Sequence, residues 1–244
     1  MTTLAPPLEE LERSATLTDK VVDIIIRSAA DRKIPFGSRL VEADISKRLN
    51  ISRVPVREAL RLLASQGIVV NEPYKGTCLM PVDNDTLREV LVVRHAIEEL
   101  AVRLAVGELL SGRGNTRGLR DALRSMESAL QSKSASDLAA SDVGFHREVL
   151  ILSANKTLLS LWENMALKFQ IIVGIAWHAT DQQRIYQQHV ELLKLFELGN
   201  LERILEFIKP HLFEGLEIGV PAAESTELLF PPTPRKRRTP AGKI

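Results

Sequence analysis

Apolar and polar positions follow two different rhythms along this chain. Residues 16–30, TLTDKVVDIIIRSAA, place aliphatic side chains at helical spacing behind Thr16 or Thr18, either of which suits an N-cap. Pro35 and Gly37 break that helix within IPFGSRL at 34–40. VEADISKRLN at 41–50 predicts a short amphipathic helix with Ile45 and Leu49 on one face and Asn50 as its stop. Ser52 is placed to cap a third helix that tolerates Pro55 in its first turn and ends at Gly67. IVV at 68–70 and TCLM at 77–80 read as two short strands around the turn NEPYKG at 71–76. Helix, short helix, helix and hairpin is the order of a winged helix-turn-helix. The pattern alone equally allows a small α+β domain with no DNA role.

Beyond the connector at 81–84 the rhythm is helical throughout. Helices are predicted near 85–106, 115–131, 137–153, 156–178, 181–198 and 201–218, separated by Gly- and Asn-bearing breaks such as GRGN at 112–115, Asn155 and Gly199-Asn200. No segment alternates like a strand and no internal repeat stands out. The fold class is mainly α: an N-terminal winged helix-turn-helix followed by an all-α bundle. The expected division is an N-terminal arm at 1–15, a DNA-binding domain at 16–82, an effector-binding and dimerisation domain at 83–219, and a tail at 220–244. The tail carries five prolines and the cluster Arg235-Lys236-Arg237-Arg238, a composition that builds no core. It reads as a disordered solubilising segment, or as an arm that touches phosphate.

Composition narrows the class. Hydrophobic residues make up 45% and aromatics 5%, so the core is mostly aliphatic. The single cysteine, Cys78, forbids an intrachain disulfide and suits a reducing compartment. The start, MTTLAPPLEELERSA, is acidic and lacks an apolar stretch, and the apolar run IIVGIAW at 171–177 is too short for a span. A cytoplasmic protein with no membrane partner is expected. The net charge of +1 decides nothing, but its distribution does. Residues 27–75 hold ten basic and five acidic side chains, net +5, while residues 81–219 hold fifteen and nineteen, net −4. The basic excess falls on the winged-helix segment, as nucleic-acid binding requires.

Two constellations carry chemistry. Arg53 and Arg57 lie four apart on one helical face, and arginine bonds guanine bidentately at O6 and N7. The same spacing fits a solvated face with ion pairs to Glu58 or Glu42. Of five histidines, His146 lies four residues from Asp142 in DVGFH, and His189 and His211 fall on later helices. One Asp and three His from three helices can converge on a metal ion, and the same pattern fits buried, hydrogen-bonded histidines. A metal-dependent enzyme is the alternative function. No His-Glu-x-x-His pair is present and no general base is paired with a nucleophile, which tells against it.

ISRVPVREALRLLASQGIV at 51–69 resembles the recognition helix of the GntR superfamily of bacterial regulators, whose pattern is close to (V/I)SR-x-PVREAL-x-x-L-x-x-x-G. Ser52, Arg53, Pro55, Val56, Arg57, Glu58, Ala59, Leu60, Leu63 and Gly67 match it. Residues 39–50 resemble the first helix of the motif, and Tyr74-Lys75-Gly76 resembles its wing tip. The resemblance implies DNA contacts from Arg39, Ser52, Arg53, Val54, Pro55, Arg57, Lys75 and Gly76. Some relatives carry a further arginine where this chain has Ala43-Asp44. Glu42 and Asp44 either orient nearby arginines or discourage wrong sites.

Residues 83–216 resemble the FCD domain of the FadR-like branch, on RHAIEELAVRLA at 94–105, DVGFHREVLILSANKTLLSLW at 142–162, His189 and His211. This resemblance implies a divalent metal held by Asp142, His146, His189 and His211. Zinc is the first choice; nickel is allowed by three imidazoles, and manganese by the carboxylate and open positions. Arg94 matches a pocket-facing arginine that suits an effector carboxylate, with a pair to Glu98 as its alternative. His95 and His178 match no ligand position and are expected to be structural. Trp162, Phe169 and Trp177 are expected in the core or pocket wall. Pro210 is expected to kink or interrupt the last helix and re-aim His211. The implied function is a homodimeric transcription regulator, repressor or activator and not an enzyme, on a pseudo-palindromic double-stranded operator. Its switch is a small molecule, an organic acid. A constitutive DNA-binding protein whose bundle only dimerises is the third reading.

Overall fold

The computed structural model describes residues 16–213; the N-terminal arm and the basic tail lie outside the described residues. The chain begins with α1 (Leu17–Ala30). Thr16 accepts from the Asp19 backbone N–H at 3.1 Å while the Thr16 N–H donates back to the Asp19 carboxylate at 2.9 Å, a reciprocal cap. Helix α2 (Glu42–Leu49) stops at Asn50, whose φ of +53° is left-handed. Helix α3 (Arg53–Ser65) follows at once. Ser52 takes the N-cap position with extended backbone but makes no side-chain cap bond. One backbone N–H that it could accept from is missing, because Pro55 stands at the third helical position.

Strands β1 (Val69–Glu72) and β2 (Gly76–Leu79) pair antiparallel, with Val69 opposite Leu79 and Glu72 opposite Gly76. The turn is tighter than the sequence suggests. The Thr77 hydroxyl donates to the Asn71 side chain at 3.1 Å, extending the ladder, and Tyr74 and Gly76 at positive φ close it. Arg39 forms an isolated bridge to Cys78 on the far edge. Val21, Ile25 and Ile26 pack against Val56, Ala59, Leu63, Ile68 and Leu79 as one core.

Six helices follow: α4 (Asn84–Leu110), α5 (Arg117–Ser132), α6 (Ala135–Leu152), α7 (Lys156–Ala179), α8 (Gln182–Glu197) and α9 (Leu201–Phe213). Side-chain caps from Asp83, Ser134, Asn155 and Asp181 start four of them. Their core gathers Val102, Ala105, Phe145, Trp162, Phe169, Leu192, Phe196 and Ile204. Helix α9 runs through Pro210 to Phe213 without interruption, contrary to the expected break. Pro210 has no N–H to donate to the Glu206 carbonyl one turn earlier, and the helix bears the loss of that single bond. Among the described residues, α7 is the one helix long and apolar enough to cross a membrane, and residues 171–177 are buried inside the protein.

The two parts are in contact. Ile171 joins the N-terminal core. Gly174 meets α1 so closely that a Cβ there would stand 2.7 Å from the Ala30 Cβ. Arg27 forms an ion pair with Asp137, and the Ser136 N–H donates to Asp31 at 2.9 Å. Helix α1 is therefore held by the start of α6 and the middle of α7.

Candidate functional site

Helices α4, α6, α8 and α9 each send polar side chains into the middle of the bundle, where they are buried: Arg94 and Glu98, Asp142 and His146, His189, and His211. One ring nitrogen from each of His146, His189 and His211 lies within 4.8 Å of the others. Asp142 Oδ2 stands 3.3 Å from His189 Nε2, so all four residues expected as ligands come together.

The orientation of the rings is informative. His146 Nδ1 lies 2.5 Å from Glu98 Oε2, His189 Nδ1 lies 2.9 Å from the Ile185 carbonyl, and His211 Nδ1 lies 3.0 Å from Gln188 Oε1. The Ile185 carbonyl and Gln188 Oε1 are acceptors, so Nδ1 of His189 and of His211 carries the proton in the neutral ring. His146 Nδ1 meets Glu98 in a close ion-pair contact without hydrogen-bond geometry, whose negative charge favours the proton on that nitrogen too, so each Nε2 carries a lone pair. Those lone pairs converge: His146 Nε2 and His211 Nε2 are 3.2 Å apart, and His189 Nε2 has no hydrogen-bond partner of good geometry. Three inward lone pairs beside a carboxylate cannot satisfy one another, whereas a cation satisfies them all. Imidazoles held from behind by a carboxylate, a carbonyl or an amide are the usual support of a metal site. The three histidines can hold a metal ion, and the donor set fits one.

Arg94 is 2% exposed. Its Nε donates to Glu98 at 2.7 Å and its Nη2 to Asp142 at 3.3 Å, and it lies over the Trp162 and Phe169 rings at 5.6 and 5.5 Å. The pair with Glu98 is present, and Arg94 also lines a cavity with Asp142, Trp177, Ile185 and His211. The cavity volume is about 30 Å³, room for an ion or a water. Trp177 Nε1 is buried with no partner. Burial opposes ionisation of Asp142, but contact with His189 when that ring is protonated, together with Arg94, outweighs it and holds the carboxyl well below the usual range. Glu98 is likewise lowered against its desolvation, by His146 and Arg94. Burial, with the neighbouring histidines, pushes His211 well below its ordinary value. Outside the cluster, His95 packs near Phe213 and Glu99, and His178 is exposed.

Nothing in the sequence marks Glu98 and Gln188 as supports of the histidines. Glu98 was visible only as the residue one turn from Arg94, and no spacing reveals which ring faces which partner.

On the N-terminal part, Ser52, Arg53, Val54 and Arg57 are exposed on or before α3, and Pro55 is half-buried. Arg61 is also exposed and continues the face of Arg53 and Arg57; sequence reasoning left it out. Arg57 bonds Glu42, its Nη2 at 3.1 Å from the carboxylate. Arg39 is exposed beside Gly76, and Lys75 pairs with Glu72 at 2.7 Å within the wing.

A short helix, a tight turn, a helix with exposed arginines at its start, and a wing define a winged-helix DNA-binding protein, here joined to a helical bundle with a buried polar cluster. Residues 17–79 match the family described as bacterial regulatory proteins, gntR family, and residues 89–214 match the FCD domain. The chain belongs to the GntR family of bacterial transcription regulators, in the group that carries an FCD domain. It is 27% identical over 187 residues to a probable D-xylose utilization operon transcriptional repressor of Paenarthrobacter nicotinovorans, covering 77% of this chain and 81% of that one. It is 26% identical over 184 residues to a gluconate operon transcriptional repressor of Bacillus licheniformis, covering 71% and 72%. The fold is similar to the E. coli protein McbR/YncC at a TM-score of 0.65 and 19% identity, over 82% of this chain and 94% of that one. A putative GntR regulator from Rhodococcus sp. RHA1 gives 0.64 and 20%, over 80% and 93%. The matched family and the two curated relatives are those of transcription regulators, not of enzymes.

Proposed function

We propose that this regulator is a cytoplasmic homodimer whose affinity for a pseudo-palindromic operator is set by an organic acid bound beside a divalent ion in the bundle. Residues 16–82 form the DNA-binding unit and 83–219 the effector-binding and dimerisation unit. The observation that carries the reading is the convergence of three Nε2 lone pairs and the Asp142 carboxylate, with a buried arginine alongside. Asp142, His146, His189 and His211 hold the ion, with zinc the first choice and nickel or manganese next. The ion supplies open coordination positions for a carboxylate or hydroxyl oxygen, and Arg94 supplies the matching charge. Arg39, Ser52, Arg53, Val54, Pro55, Arg57, Lys75 and Gly76 form the DNA face. Arg53 and Arg57 read base edges there. Repression is supported by the names of the matched relatives.

The homodimer is supported by an apolar stripe on α4, where Val93 and Leu100 are exposed and Ile97 and Leu104 are half-buried. Their spacing is that of a two-helix seam. Communication follows from shared elements. Val173, Ala176 and Trp177 of α7 line the cavity that Asp142 of α6 also lines, and the same two helices hold α1 through Gly174, Ser136 and Asp137. An acid bound there touches walls that also carry the DNA-binding unit, so a change in their packing reaches it.

The test uses an operator duplex selected from random-sequence duplexes by the full-length protein. Its affinity is measured with a panel of short carboxylates and hydroxy acids, on protein as purified and after chelation. At least one acid should change operator affinity by about fivefold or more, and chelated protein should lose that response. Operator affinity indifferent to every acid that raises the melting temperature would make the bundle a dimerisation module only.

A further inference from the structure

Glu42 opens α2, and its position invites a bland account, a carboxylate at a helix N-terminus. The geometry shows a different engagement. The Arg57 Nε donates to Glu42 Oε1 at 3.2 Å and Oε2 at 3.1 Å, and Arg57 Nη2 donates to Oε2 at 3.1 Å. The carboxylate thus lies along the Nε–Nη2 edge of the guanidinium. Arg53 and Arg61, one turn either side of Arg57, also act on the Glu42 charge and help hold it below the usual carboxylate range, after the Arg57 bond itself. Glu58, the acidic residue on α3, is engaged elsewhere, accepting from the Thr18 hydroxyl of α1 at 3.0 Å. Glu42 therefore stands against a stripe of three exposed arginines.

Arginine has five N–H donors in a rigid fork. With the Nε edge occupied, the Nη1–Nη2 edge keeps two parallel donors pointing away from α2. That pair matches O6 and N7 of guanine. Side-chain entropy is lost before DNA arrives, so less is lost in forming the base contact. The same carboxylate repels phosphate, so an arginine stripe that would otherwise grip any duplex is held back. A correct base outweighs that repulsion through the bidentate bond, and a wrong base does not.

We infer that Glu42 is a specificity-determining positioning residue: it presents the Nη1–Nη2 edge of Arg57 to a guanine and weakens attachment to non-cognate DNA. The inference rests on the reading of Arg57 as a base contact.

The experiment measures affinity of full-length wild type, Glu42→Ala, Glu42→Gln, Arg57→Ala and the Glu42→Ala/Arg57→Ala double variant. The duplexes are the selected operator, a random duplex of equal length, and the operator with single guanines replaced by 7-deazaguanine. Glu42→Ala should bind random DNA several-fold more tightly and gain nothing on the operator, so the operator-to-random ratio falls about tenfold. Glu42→Gln, which keeps an acceptor for Arg57 but no charge, should recover part of the ratio. One 7-deazaguanine position should weaken wild type and leave Arg57→Ala unaffected. In the double variant, removing Glu42 should raise random affinity without further loss of discrimination. If Arg57→Ala weakens operator and random DNA equally, the base-reading role of Arg57 falls. If Arg57→Ala loses discrimination while Glu42→Ala leaves the ratio unchanged, or raises both affinities by one factor, the role of Glu42 alone falls.

Discussion

Two of the molecule's arginine–glutamate pairs stand in opposite surroundings. Arg57 and Glu42 meet at 3.1 Å with side chains 50% and 36% exposed. Arg94 and Glu98 meet at 2.7 Å with side chains 3% and 1% exposed. In water the first pair is weakly bound and screened, so Arg57 keeps a free edge for DNA at little cost to folding. In the bundle the second pair is fixed. Each charge has lost its hydration, and each is needed by the other, by Asp142 and by His146. The same chemistry gives a loosely held arginine at the surface, which suits the proposed base-reading role, and a rigid support in the interior. An ion pair does not compete with a functional role; the solvent around it decides which role it takes.

Breaking the buried pair should have the largest effect. Glu98→Ala leaves Arg94 short of a partner and His146 Nδ1 without its acceptor, and should cost about 3–5 kcal/mol in urea unfolding. The same variant should weaken metal affinity by about tenfold to a hundredfold. A cost near zero would mean that water reaches the cluster and that the two pairs are not different in kind.

Removing the metal comes next. With free ion several hundred-fold above its dissociation constant, bound metal adds about 3–4 kcal/mol to stability. Chelation should therefore lower the melting temperature of the wild type and leave that of His189→Ala almost unmoved. An equal fall in both would place the stabilising ion elsewhere.

The junction between the two parts gives a smaller effect. Gly174→Ala puts a methyl 2.7 Å from the Ala30 Cβ and 3.0 Å from its Cα. The strain should cost about 1–3 kcal/mol. No change in unfolding would show that α1 and α7 separate easily and carry no signal. Smallest of all, Glu42→Ala should leave the unfolding midpoint where it is, while its DNA selectivity changes. A marked drop in stability would make the exposed pair structural.

The comparison also shows what a sequence can hold. Thr16, Asn50 and Asn155 act through residues one to four positions away, so the element pattern was readable, though the cap at Ser134 starts α6 two residues before the expected 137. Ser52 makes no side-chain cap bond because Pro55 removes a donor it would have met, and α9 continues through Pro210 to the last described residue. Asp142 and His146 share a helical face and could be paired on spacing. His189 and His211 joined them on pattern as one of two open readings, and family resemblance decided for ligands. The backing of the histidines by Glu98 and Gln188 depends on packing between helices and leaves no periodic trace. The pairing of Glu42 with Arg57 was one of the alternatives the charges offered, and only the packing of α2 against α3 decides between Glu42 and Glu58.

The central claim is that the bundle is built around a metal. Elemental analysis of the full chain as purified, beside His189→Ala and His178→Ala, tests it most directly. Wild type and His178→Ala should each carry about one divalent ion per chain, and His189→Ala should lose most of it. Wild type that stays metal-free after incubation with zinc, nickel and manganese would contradict the account, as would His189→Ala that keeps its ion.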